Sequence, residues 1–156
     1  MLQKKPKTLG YSSGRVDAPS HMNNQALLAY WEEKRPEGQP LMRSDFDPLQ
    51  LPKLLPCLFL AKPLGDDYQF RLVGSQIEER MRRALTNQTL TGVYGPDFGP
   101  KTVESYRHAA TTCEPLTLRG NYVGDNLEHI DFEVLHLAIQ FEDGSRGVIG
   151  GQFAFD

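Results

Sequence analysis

The residues best equipped for acid–base or metal chemistry are His129, Asp131, Glu133 and His136, the densest mixed run of imidazoles and carboxylates in the 156-residue chain. Imidazoles and carboxylates gathered so closely could move protons or hold a cation. The surrounding residues read as a strand, however, and strand alternation sends His129, Asp131 and Glu133 to one face and His136 to the other. A set divided between two faces does not close easily round one ion, so no metal site is assigned. Cys57 and Cys113 stand far apart with neither a CxxC motif nor a nearby histidine cluster, which reads as two reduced core thiols. Glu78 with Arg82 and Glu79 with Arg83 are four residues apart, the spacing of ion pairs on a solvated helix face. No GxSxG, HExxH, P-loop or GxGxxG pattern occurs, and Gly147, Gly150 and Gly151 fall within a strand rather than before a helix. No catalytic residue is assigned, and an enzyme is not expected.

The elements that must position these groups follow from apolar periodicity and its interruptions. Residues 1 to 22 carry Lys, Gly, Ser and Pro without an apolar period and read as a flexible lead-in to a domain over 23–156. Leu27, Leu28 and Trp31 form one stripe on an amphipathic helix from Asn23 to Lys34, which Pro36 ends. Ser44-Asp45 and Pro48 open a short helix or two turns before Pro56. Cys57 to Lys62 and the alternating Tyr68, Phe70 and Leu72 read as a hairpin about Gly65-Asp66-Asp67. Ile77, Met81 and Leu85 then mark a helix, and Val103, Tyr106, Arg107 and Ala110 mark another ending near Cys113. From Pro115 onward, three apolar runs split at Gly124-Asp125-Asn126 and at Glu142-Asp143-Gly144 predict three antiparallel strands. The order strand, strand, helices, strand, strand, strand has too few crossovers for a parallel sheet, so the fold class is α+β.

Composition excludes several functional classes. With 39% apolar and 24% charged residues the chain is an ordinary globular domain. A formal charge of −3 gives no electrostatic footprint for nucleic acid, whose binding rests on clustered Lys and Arg. Its longest apolar runs are far short of the roughly 20 residues that span a bilayer. No apolar segment follows Lys4, Lys5 and Lys7, so a secretory signal is absent and a cytoplasmic setting is expected.

The words that fill these elements form an ordered series: Tyr30-Trp31, Met42-Arg43-Ser44-Asp45-Phe46-Asp47-Pro48, Leu54-Leu55-Pro56, Phe70-Arg71-Leu72-Val73-Gly74 and Thr89-Leu90-Thr91-Gly92. Over about residues 25 to 155 the series resembles the PAS domains of bacterial regulatory proteins, in particular an alphaproteobacterial single-domain type. The resemblance implies a five-stranded antiparallel sheet flanked by short helices, a pocket between sheet and helices, and no catalytic residues. His108 falls where haem-binding PAS domains carry their proximal ligand, but its polar helical neighbours favour a surface histidine. Flavin photosensors of this fold carry an Asn-Cys-Arg motif on a central helix, and residues 74–92 contain no cysteine. No cofactor is therefore expected.

The function expected is a sensory or regulatory module in signal transduction, binding a small molecule or a protein partner and signalling by association. A small α+β enzyme or carrier with an open pocket, or a ligand-free interaction domain, are the alternatives. The enzyme alternative requires a carboxylate and an imidazole in one cavity. Pocket walls are expected from Leu58, Leu60, Phe70, Leu72, Ile77, Met81, Tyr94, Phe98, Leu116, Leu118, Leu135, Leu137 and Ile149. Arg43 and Asp45 are expected to clamp the turn at Pro48. Leu27, Leu28 and Trp31 are expected to form the contact of a homodimer, with intramolecular packing as the competing use of that stripe.

Overall fold

The computed structural model describes residues 8–124 and 126–155. Its sheet contains β1 (Gly10–Val16), β2 (Leu41–Met42), β3 (Leu58–Leu64), β4 (Asp67–Val73), β5 (Leu116–Val123), β6 (Asp131–Gln140) and β7 (Arg146–Ala154). The strands lie in the order β1-β5-β6-β7-β3-β4 with antiparallel pairing, and β2 adds a two-residue parallel pairing to β6. Strands β3 to β7 are the five that the sequence predicts, so the α+β class stands, and the sheet is larger than expected by the seven-residue edge strand β1 and the two-residue β2.

Helix α1 (Met22–Lys34) covers one face of the sheet, here the back, while α2 (Ser75–Met81) and α3 (Leu90–Thr112) cover the front. Each face thus has its own core. On the back, Trp31 and Leu27 of α1 pack against Leu58, Leu135, Leu137, Ile139 and Ile149. Gly151 permits this closeness, since a β-carbon there would run into Asn24 Oδ1 and Leu27 Cδ2. On the front, Val103, Tyr106, Ala109 and Ala110 of α3 pack over Phe59, Phe70, Phe132 and Val134. Gly95, at φ 75°, and the following Pro96 break α3 into two helical stretches. That bend lets its first turns and its long second part follow different parts of the sheet.

Two expectations are corrected here. Gly10–Val16 is not a loose lead-in but pairs residue for residue with Thr117–Val123 of β5. The sequence hid it because Ser12, Ser13 and Gly14 carry no apolar alternation, and the strand is held by its backbone ladder and by buried Leu9 and Tyr11. Residues 1–7 lie outside the described residues. The α1 stripe is also spoken for within the chain: Trp31 is 0% exposed and its Nε1 donates to Ala138 O at 2.9 Å. Leu27 is buried and Leu28 packs partly buried against the same core, so this stripe is not free to pair two subunits.

A buried carboxylate fixes how α1 meets the sheet. Glu133 Oε1 accepts from Ser20 N at 2.7 Å and from Ser20 Oγ at 3.0 Å. Its Oε2 accepts from His21 N at 3.1 Å and from Asn24 Nδ2 at 3.0 Å. Burial alone would raise the pKa of Glu133, and these donors more than offset it, leaving the group below its ordinary value. No helix among the described residues is long and apolar enough to cross a membrane.

Candidate ligand cavity

Between the front of the sheet and α2 and α3 lies a cavity of about 50 Å³. Its walls are aromatic and aliphatic: Phe59 and Phe70 from β3 and β4, Ile77 and Met81 from α2, Tyr94 and Tyr106 from α3, Tyr122 from β5, and Phe132 and Val134 from β6. Phe59 and Tyr106 stack with centroids 5.9 Å apart, and Phe70 meets Phe59 edge-on at 6.1 Å. Tyr11 of β1 closes one side, edge-on to Tyr94 at 5.4 Å.

The polar groups are few and specific. His136, 3% exposed, holds Nδ1 at 3.0 Å from Leu116 O. A carbonyl can only accept, so Nδ1 carries the proton and Nε2 presents a lone pair. Burial lowers the pKa of His136 to about 4, although the Leu116 carbonyl works in the opposite direction, so the ring is neutral near pH 7. No hydrogen-bond partner for Nε2 exists among the described residues. Thr102 Oγ1 donates to Phe98 O at 2.7 Å, which makes Tyr11 OH the donor in its 2.6 Å bond to Thr102. Gln152 Nε2 donates to Tyr122 OH, and Gln152 Oε1 is buried without a partner. Burial, reinforced by neighbouring phenols, holds the Tyr106 and Tyr122 hydroxyls well above their ordinary pKa, so they remain neutral.

Of the expected wall residues, Phe70, Ile77, Met81, Tyr94 and Leu118 line the cavity. Leu116 belongs to the same core but lines an outer groove, and Phe98 packs partly buried beside Tyr11 at 5.5 Å. Leu58, Leu60, Leu135, Leu137 and Ile149 lie in the core on the other face, with Leu72 packed against it. These six assignments are corrected, and each has a cause. Strands β6 and β7 and the first half of β3 are buried on both faces, so their unbroken apolar runs contain no phase. In β4 the register slips between Leu60 and Ala61, whose partners are Leu72 and Phe70, so Arg71 is the extra residue of a bulge. The bulge turns Leu72 to the back while Phe70 and Val73 stay in front.

The clamp at Pro48 is built differently from expectation. The cap is Asp47, whose Oδ1 accepts from Leu49 N at 3.0 Å, and the Asp45 side chain is exposed without a hydrogen bond among the described residues. Asp45 contributes its carbonyl, 3.4 Å from Tyr30 OH, and Arg43 bonds Phe46 O at 3.4 Å. Glu78 does not act in an exposed pair with Arg82: its Oε2 accepts from Leu85 N at 2.5 Å and from Thr86 N at 3.2 Å, capping the turn after α2. His108 lines the outer groove with Arg15, Lys101 and Glu104, away from the cavity. Sequence reasoning missed Phe59, Tyr11, Tyr106, Tyr122, His136 and Gln152 as wall residues. Tyr106 was already on the predicted stripe of α3, and His136 was already opposed in phase to Glu133, which is the signal that could have placed both.

A family model described as PAS domain matches residues 19–153. The chain belongs to the PAS domain family. Its β5-β6-β7-β3-β4 sheet and the cavity under α2 and α3 are where the resemblance placed them. Searches of curated proteins and of solved structures each found no match. PAS domains are in general sensory or regulatory modules.

Proposed function

We propose that this PAS domain senses a small, neutral molecule that enters the front cavity and donates a hydrogen bond to His136 Nε2, and that it passes on the occupied state by association with another protein. The observation that carries the reading is the pair of acceptors that the cavity walls carry: His136 Nε2, on a neutral ring whose hydrogen bond is made by Nδ1, and Gln152 Oε1, buried without a partner among the described residues. Buried acceptors left unpaired are costly, and a ligand donor relieves that cost. The aromatic walls favour a compact, partly apolar molecule. A cavity of about 50 Å³ holds a few water-sized groups, well under the roughly 300–1,000 Å³ of pockets for larger ligands. No carboxylate stands among the cavity walls beside His136, and this weighs against the acid–base enzyme alternative.

Nuclear magnetic resonance of the imidazole nitrogens tests the reading directly. Titration with small alcohols, primary amides and azoles is expected to move the His136 Nε2 resonance for at least one class, with saturation. The His136→Phe variant, which has no Nε2, should keep the fold and bind that class about tenfold or more weakly by titration calorimetry. If no class shifts Nε2, or if the variant binds equally well, the ligand reading fails.

A further inference from the structure

On the back of the sheet, beside the β3–β4 hairpin, a groove of about 290 Å³ is lined by Arg43, Leu60, Lys62, Arg71, Leu72 and Phe141. Arg43 and Arg71 come from distant parts of the chain, and the Arg71 bulge brings them to one groove. Lys62 is neutralised by Asp143 at 2.9 Å. Arg71 is exposed and has neither a hydrogen bond nor an ion pair among the described residues. Arg43 bonds only a carbonyl, Phe46 O, and sits 5.7 Å from the Phe46 ring centroid. Two guanidinium groups without a carboxylate therefore share a groove on a chain whose formal charge is −3. Such a local reversal of charge costs self-repulsion that an incoming anion removes. Guanidinium is the cation whose planar fork fits a carboxylate with two parallel bonds. Under these cations the floor is apolar, made by Leu60, Leu72 and Phe141.

We propose that this groove docks a partner polypeptide that presents carboxylates beside an apolar side chain. Leu60 and Phe141 are buried and Leu72 is part-exposed, so a small free anion would satisfy the guanidinium groups and leave Leu72 wet, whereas a peptide segment covers both at once. The docking site and the cavity are on opposite faces of the same strands. Phe59 and Phe70 line the cavity, and the adjacent Leu60, Arg71 and Leu72 line the groove.

The test uses the full chain and a short fluorescein-labelled peptide alternating Asp and Leu, with its Asn-for-Asp counterpart as control, read by fluorescence anisotropy. The acidic peptide is expected to bind about tenfold or more tightly than the amide control. Arg71→Gln and Arg43→Gln should each weaken it about tenfold, and Arg107→Gln, which removes an exposed cation of α3 outside the groove, should leave it unchanged. Backbone resonance shifts on binding should centre on Arg43, Lys62, Arg71 and Leu72, and far-ultraviolet circular dichroism should show both Arg variants folded. Absence of binding, equal binding of the amide peptide, indifference to both Arg variants, or shifts centred elsewhere overturns the proposal. Citrate binding as tightly as the acidic peptide marks a small-anion site and overturns the polypeptide assignment.

Discussion

The two faces of the sheet are built from the same strands yet solve opposite problems. On the back, Leu27, Trp31, Leu58, Leu135, Leu137 and Ile149 close over one another, and Trp31 Nε1 and the Glu133 carboxylate are matched by partners, while Asn24 Oδ1 is left without one among the described residues. On the front, rings predominate, a void is left, and His136 Nε2 and Gln152 Oε1 go unmatched. Flat aromatic rings meeting edge-on leave angular gaps, whereas branched aliphatic chains interdigitate. The back is where this domain is held together, and the front is where it can respond.

The sharpest attempt to break that comparison is Trp31→Ala, which removes the largest buried side chain of the back and leaves Ala138 O without its donor. It is expected to cost about 3–5 kcal/mol in urea unfolding. A loss under about 1 kcal/mol would show that the back core is not the principal support.

Acid should find the front next. His136 titrates at about 4 in the folded chain against an ordinary value of 6.5, so the unfolded chain binds more protons between those values. The stability due to its neutrality is full above pH 6.5 and is lost as pH falls toward 4. The difference amounts to about 3 kcal/mol across that window. Urea midpoints measured from pH 7 to pH 4 should fall, and His136→Phe should flatten the slope. A variant with the wild-type slope would remove the front imidazole from the account.

The smallest effect expected is at the hook on the back. Glu133→Gln keeps the shape but weakens the bonds from Ser20, His21 and Asn24, at a cost of about 2 kcal/mol at pH 7. Because the folded pKa of Glu133 is lowered, its contribution is present above the ordinary value of 4.5 and disappears as pH falls through the folded value. The variant should therefore approach wild type in stability only below about pH 4.5, a window beneath that of His136. Equal stability at pH 7 would mean that α1 is held by apolar contact alone.

How much of this was legible in the sequence can be judged residue by residue. The hairpin at Gly65, the three final strands and the helix ending near Cys113 were readable because turns and periodicity are local. Phe70 lines the cavity and alternates with the polar Gln69 and Arg71, a pattern that the sequence shows directly. Leu135 and Leu137 carry no such mark, because a strand covered on both sides shows apolar residues in both phases. The Arg71 bulge leaves no mark in composition, yet it decides the face of Leu72 and sets Arg71 at the groove.

By itself, then, the order of residues determined the class of fold, the family, and the apolar stock of both cores, since each depends on patterns read within a few positions. Tertiary structure alone decided which face each strand residue serves, that Gly10–Val16 completes the sheet, and that α1 spends its stripe on its own core. It also decided that His136 stands at the cavity wall with Nδ1 bound to Leu116 O. These outcomes depend on pairing register and on contacts between residues more than a hundred positions apart, such as Trp31 with Ala138 and Asn24 with Glu133, which local periodicity does not encode.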